Sequence, residues 1–437
     1  MASKADSIKL FSFQGAPMRA FHLTWVAFFI CFFAWFACAP LMPVIKGEFG
    51  LSMEQIANIN IAAVAITIFV RLLVGPLCDR YGPRKTYTGL LLIGAVPVLG
   101  VALAQSYEAF LLARLGIGAV GASFVITQYH TSVMFGPKVV GTANAAAAGW
   151  GNAGGGAAQA VMPLMLTAIV MLGVSQSLSW RLALVVPGVM MIVMAYFYWR
   201  YTQDCPAGNY DDLRKTGLML DAGGKGGMGG WASFAAGCRN HRAWLLFVTY
   251  GACFGIEIFI HNIAAVYYVE HFDLSLAQAG MAAGSFGLLA LFARALGGWL
   301  SDKAALGGDL NRRVTVLFVL MIGEGLGLLW FAQAEGVVFA VVAMLVFGLF
   351  THMACGATYA LVPFIAPKAL GGVAGIVGAG GNVGAVAAGF LMKGTGDIKQ
   401  TLTILGGLVL VASICAIAAR FTNTTTATGS TPAAAAV

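Results

Sequence analysis

Along the 437-residue chain, apolar positions come in long unbroken runs rather than in alternation. A hydrocarbon core about 30 Å thick is crossed by about 20 apolar residues of helix. The chain offers twelve runs of that order, near 22–45, 56–78, 86–104, 107–130, 139–170, 180–199, 243–268, 276–300, 314–333, 337–363, 370–392 and 401–419. The short alternating segments of an outer-membrane barrel are missing. The pattern therefore predicts an all-α membrane protein with twelve transmembrane helices.

Composition points the same way, with 59% hydrophobic and 10% charged residues, far from the soluble globular range. Residues 1–20 are polar and basic, and no short apolar stretch with a cleavage site precedes the first span. That span reads as an uncleaved anchor. Sorting the basic residues by loop puts 18 on the side of the N-terminus and 4 on the other, Lys46, Arg181, Lys393 and Lys399. The bias predicts a cell-membrane protein with both termini in the cytoplasm. It also accounts for most of the net charge of +8, so no basic face is left for nucleic acid. Of eight cysteines only Cys205 and Cys238 lie outside the helices, in a loop assigned to the cytoplasm, and no disulfide framework is expected.

The longest polar stretch, residues 201–242, holds "DAGGKGGMGG" and reads as a flexible cytoplasmic linker. It divides the chain into a six-helix half over 1–200 and a second over 243–420, followed by a low-complexity tail, 421–437, expected to be disordered. If the halves are repeats, motifs should recur at matched places. In helix two "RLLVGPLCDRYGPRK" sets Arg71, Gly75 and Asp79 at offsets 0, 4 and 8, and in helix eight "RALGGWLSDK" sets Arg294, Gly298 and Asp302 at the same offsets. Helix five carries "GNAGGGAA" and helix eleven "GNVGAVAA", so Asn152 answers to Asn382 and Gly151 to Gly381.

Arg71 and Arg294 each lie eight residues before the helix end, about 12 Å at 1.5 Å per residue, too deep for easy snorkelling. An ionised side chain there needs a partner or an aqueous cavity. A guanidinium is a planar fork that matches a planar oxyanion, as lysine cannot. Facing each other across a pseudo-twofold axis, two such forks suit one small anion. The competing reading pairs each arginine with a structural carboxylate. Glu257 reads as the one acid deep in a span, and one carboxylate cannot neutralise both.

Five glycines, Gly149, Gly151, Gly154, Gly155 and Gly156, thin helix five. Each costs about 1 kcal/mol against alanine in a helix, so a gain is expected in return from close backbone approach to a neighbour, either tight static packing or smooth sliding of one half against the other. Asn152 and Asn382 are either interhelical hydrogen bonders or, given their matched positions, part of the anion site.

The turn "GPLCDRYGPRK" has the form of the signature loop of the major facilitator superfamily and reads as a gate built on Asp79, Arg80 and Arg84, with Asp302 in its shorter echo. Arg114, in "ARLGIGAVGASF" of helix four, resembles the second motif of that superfamily and is either a proton-coupling residue or an interfacial arginine that snorkels. In helix seven Glu257 and His261 stand four residues apart on one face, beside Asn262. They form either a proton relay or a structural pair lining the outer cavity. No phosphate loop, metal cluster or nucleophile with a base beside it occurs, so neither an enzyme nor a resident metal or cofactor is expected.

Together "RLLVGPLCDRYGPRK", "GWGNAGGGAAQAVMP", "ACFGIEIFIHNIAAVYY", "CGATYALVPFI" and "GIVGAGGNVGAVAAGF" resemble the nitrate/nitrite porters of the major facilitator superfamily, and more narrowly their high-affinity, proton-linked nitrate transporter branch. The resemblance spans about residues 15–420. It implies that Arg71 and Arg294 clamp nitrate between the halves, with Asn152, Asn382, Gly151 and Gly381 beside it and Phe124 and Tyr250 boxing the planar anion. It implies a monomer that rocks between access states, with nitrate or nitrite, protons and the lipid bilayer as partners and a small accessory membrane protein as a candidate one. The Glu257 and His261 face favours nitrate/proton symport. Nitrate/nitrite antiport is the alternative, and a nitrate-sensing receptor a remote one.

Overall fold

The computed structural model of the chain describes residues 4–9, 11–136, 139–217, 230–305, 309–366 and 369–421. Twelve helices among them are long and apolar enough to span a bilayer: α1 (Ala16–Phe49), α2 (Met53–Gly75), α3 (Pro83–Leu103), α4 (Tyr107–Met134), α5 (Thr142–Met171), α6 (Gln176–Tyr201), α7 (His241–Phe272), α8 (Leu276–Ala304), α9 (Leu310–Gln333), α10 (Val337–Ile365), α11 (Gly372–Thr395) and α12 (Ile398–Ala418). The number and order of the spans agree with the sequence reading. The protein is a multi-pass membrane protein.

Short loops separate most spans because the next helix start is written locally. Ser52 and Ser275 form reciprocal capping boxes with Gln55 and Gln278, and Ser106, Ser175, Asp309 and Asp397 accept from first-turn amides, filling donors that a helix start leaves open. In α1 the turn Ala39–Leu41 tightens to 3-10 geometry at Pro40, where the missing N–H interrupts the ladder.

Packing repeats with a period of six helices. α1 lies on α5 as α7 lies on α11, α3 on α6 as α9 on α12, and α2 on α4 as α8 on α10; between the two sets, α5 packs on α8 and α11 on α2. The α5–α8 crossing answers why helix five is thin. A side chain on Gly156 would meet the backbone of Gly287 and Leu288 at 2.6 Å and Gly284 O at 2.9 Å, and one on Gly280 would strike Gln159 O and Pro163. Only glycine lets two backbones approach so closely. At the second crossing Gly389 faces Ile61 at 2.6 Å.

Gly280 and Gly389 lie near helix ends on the face opposite the termini, and Gly156 near mid-span. The ion pairs between the two sets lie on that face too: Lys46 with Glu270, and Lys393 Nζ with Glu54 Oε1 at 3.0 Å. On the face that carries the termini, the ion pairs among the described residues, Lys85 with Asp211 and Arg313 with Asp302, stay within one set. The structure is thus fastened on the face away from the termini.

The stretch 201–242, expected as a linker, is partly built. It contains the short helix Tyr210–Lys215 and a second, Gly230–Cys238, that packs on α11. Residues 218–229, which hold most of the glycine run, and the tail 422–437 lie outside the described residues.

Candidate functional site

Arg71 on α2 and Arg294 on α8 point to one place, where Phe254 of α7 lies under both guanidinium groups, 5.9 Å from Arg71 and 5.2 Å from Arg294. Phe124 of α4 lies 5.7 Å from Arg71. Tyr250 stacks on Phe254 (5.1 Å, 20°) and meets Tyr359 of α10 edge-on at 5.0 Å; Tyr359 in turn meets Phe124 at 6.4 Å. Four rings thus enclose two cations, whose charge the ring faces attract. Phe254 and Tyr359 were not singled out by sequence, because an aromatic residue in an apolar helix looks like core.

The two arginines are not equally provided for. Arg294 Nη2 donates to both oxygens of Glu257, at 2.7 and 2.5 Å, so the competing reading of a structural carboxylate holds for Arg294. Arg71 donates only to backbone carbonyls, Gly121 O at 3.2 Å and Gly378 O at 3.4 Å, and has no carboxylate partner among the described residues. The Nε atoms of both are buried and unpartnered. Two cations and one anion leave one positive charge.

Asn152 and Asn382 are buried, and each amide nitrogen bonds back to its own helix, to Ala148 O at 2.9 Å and to Gly378 O at 3.4 Å. Their Oδ1 atoms have no partner. The bond to Gly378 O links Asn382 to Arg71, which shares that acceptor. At Gly151 the space a side chain would take is filled by Phe28, and at Gly381 by Phe254, with Tyr250 at 3.1 Å. In both repeats the glycine lets a phenylalanine ring of the first helix of its set lie against the helix backbone.

Glu257 also faces His352 of α10, whose Nδ1 is 3.3 Å from Oε2. His352 Nε2 lies 3.1 Å from Phe286 O. A carbonyl can only accept, so Nε2 carries the hydrogen, and a further proton on this ring would sit at Nδ1 against the carboxylate. His352 escaped the sequence reading, since nothing nearby in the chain marks it. His261, four residues from Glu257, makes ring contacts with Phe36 (4.7 Å) and Phe286 (5.5 Å), and its Nδ1 is unpartnered. The carboxylate's imidazole partner is therefore His352, not His261.

Arg114 does not snorkel. It is buried and donates to Trp35 O and to Asn262 Oδ1, both at 2.9 Å, joining α4 to α7 across the two sets of helices. Glu324 on α9 is fully buried, so Glu257 is not the one acid deep in a span.

On the terminal face, α2 continues as helix to Tyr81; the side chain of Asp79 lies outside the described residues. Arg80 rests on Tyr81 and its carbonyl accepts from Arg214. Arg84 lies over Trp199 at 4.2 Å and donates from Nε to Trp199 O at 2.8 Å. Asp302 is taken by Arg313. The organiser of this turn is Asp204, just past α6, which accepts from Arg84 N and Tyr210 N at 2.9 Å each and caps two helices. Its carboxylate fills the place of a side chain at Gly82, where φ is +85°, a backbone state that glycine adopts freely. Burial raises the Asp204 carboxyl above its usual range, against the two amide hydrogen bonds that lower it.

Twelve spans in two repeating sets, with a cationic, ring-lined site where the sets meet, define a membrane transport protein, and the chain belongs to the major facilitator superfamily, whose model matches residues 24–389 and, overlapping, 245–436. Within it the chain groups with nitrate transporters. It is 38% identical over 415 residues to high affinity nitrate transporter 2.5 of Arabidopsis thaliana, covering 94% of this chain and 81% of the relative. It is 30% identical to the nitrate/nitrite transporter NrtP of Nostoc punctiforme, covering 94% and 93%. Among solved structures it resembles a bacterial homologue of the human lysosomal transporter Spinster, with a TM-score of 0.69 at 14% identity over 94% of this chain and 99% of that one. The nucleoside transporter NupG shares the fold at a TM-score of 0.64. The chain is a transporter, not an enzyme.

Proposed function

We propose that this protein carries nitrate, and with it nitrite as a related substrate, into the cell across the cell membrane, as a single chain whose two six-helix sets, 1–200 and 243–420, rock about the Arg71 and Arg294 site. The observation that carries the reading is the state of Arg71, a deep guanidinium with no carboxylate partner among the described residues, beside Arg294 and under aromatic rings. One uncompensated positive charge between two planar forks and ring faces suits one planar monovalent anion. The names of the relatives supply the identity of that anion. The excess of basic residues on the terminal face supports cytoplasmic termini.

Coupling to protons follows from Glu257. With the carboxylate ionised, Arg294 is engaged by its own chain; with a proton on Glu257, shared with His352, Arg294 is released and an anion takes the carboxylate's place. Proton and nitrate binding then favour each other, as symport requires. An inside-negative potential opposes anion uptake by about 2.3 kcal/mol per charge per 100 mV, so more than one proton must travel with each nitrate for the potential to assist. Asp79, Arg80, Arg84 and Asp302 are proposed as the gate of the terminal face, while Lys46–Glu270 and Lys393–Glu54 close the other.

Nitrate/nitrite exchange is the second reading, favoured by the name of the cyanobacterial relative. Labelled-nitrate uptake into proteoliposomes, driven either by an inward proton gradient or by internal nitrite, separates the two. Acceleration by the gradient alone supports symport; acceleration by nitrite alone supports exchange and returns Glu257 to a structural role.

A further inference from the structure

Glu324 stands on α9, 14 residues from the start of the helix and 9 from its end, near mid-membrane. It is 0% exposed, and among the described residues the one polar side chain beside its carboxyl is the hydroxyl of Thr351, with neither carboxyl oxygen in good hydrogen-bond geometry. Glu257, on the neighbouring α7, has Arg294 and His352; Glu324 has no cationic partner among the described residues. Gly323 packs on Phe350 and Gly327 on Phe347 of α10, and Gly325 on Gly406 and Leu410 of α12. The titratable groups acting on Glu324 are Cys253 and Glu257, both of α7. Between its ends α12 carries no charged residue, and on α8 the one deep cation, Arg294, is bound to Glu257. Thr351 of α10 stands beside the carboxyl, with its own hydrogen given to Phe347 O at 3.0 Å.

An ionised carboxylate in this setting is costly, and a group that needed only to fill space would be served by leucine or glutamine. Intramembrane acids of this kind mark proton pathways. We infer that Glu324 is a second proton-binding site of the transport cycle, one that loads and unloads a proton together with the Glu257–His352 pair. The step is a protonation only: a carboxylate oxygen takes up a proton on loading and gives it back to water on release. Two such sites give two protons for each nitrate, and one net positive charge moved inward. The inference rests on the symport reading above.

The test compares wild type with E324Q in proteoliposomes, reading nitrate uptake, proton uptake, current and nitrate counterflow. Wild type is expected to move two protons per nitrate with an inward positive current. E324Q is expected to keep counterflow, to move one proton per nitrate and to lose the current. A variant with the wild-type ratio and current would make Glu324 a structural residue and overturn the inference while leaving symport intact. If wild type itself moves no protons, the symport reading fails instead. Should E324Q lose counterflow, E324D decides: returned current supports a proton site, and loss in both variants counts against one.

Discussion

Glu257 holds Arg294 through one guanidinium nitrogen, Nη2, at 2.7 and 2.5 Å, while Arg71, its counterpart in the repeat, reaches only the carbonyls of Gly121 and Gly378. Identical motifs in two repeats have thus been given unequal company. The asymmetry leaves one fork held by carbonyls alone and makes the other conditional on the state of a carboxyl group.

If the forks hold the anion, R71K and R294K keep the charge but lose the planar pair of donors. Hydrogen bonds to charged groups contribute about 1.5–3 kcal/mol each, so nitrate uptake should fall by about 100-fold in either variant, with surface expression unchanged. Uptake near the wild-type rate in R71K would remove the clamp from the mechanism.

E257Q removes the proton-dependent competitor for Arg294. Uptake driven by an imposed proton gradient should fall sharply and lose its electrogenic component, with at most the single proton of Glu324 left to couple, whereas exchange of internal for external nitrate should persist. The pair of assays on one preparation checks this, and a gradient response that survives undiminished would assign coupling elsewhere.

The α5–α8 crossing tolerates no side chain. G156L should abolish transport, because overpacking costs about 1–3 kcal/mol and here meets backbone on the far side. G407A, which has open space around it, should transport normally. Uptake in the two variants, normalised to the amount of inserted protein, is the comparison.

Removing one partner of the Lys46–Glu270 pair should loosen the face opposite the termini. The pair is partly exposed, with side chains 28% and 33% accessible, and such pairs contribute about 0.2–1 kcal/mol. E270Q should therefore raise the reactivity of a cysteine placed near Phe28, from that face, by a few-fold. Unchanged reactivity would show that helix packing alone holds the closed face.

D204A should free the segment after α6. A helix cap contributes about 1 kcal/mol, and Asp204 caps two helix starts, so amide exchange at Arg84 and Tyr210 should speed up together. Faster exchange at only one of them would mean that the two caps are independent.

The sequence by itself determined the twelve spans, their order, the repeat and the depth of Arg71 and Arg294. These depend on the length of apolar runs and on offsets within one helix, both of which are local and linear. The partners were decided by tertiary structure. Arg294 reaches Glu257 across 37 positions and Arg114 reaches Asn262 across 148. His352, Phe254, Tyr359 and Asp204 carry no local mark at all. Which face of a helix meets which neighbour depends on its rotation and crossing, and in this chain those are set by where glycines such as Gly156 and Gly287 allow two backbones to touch.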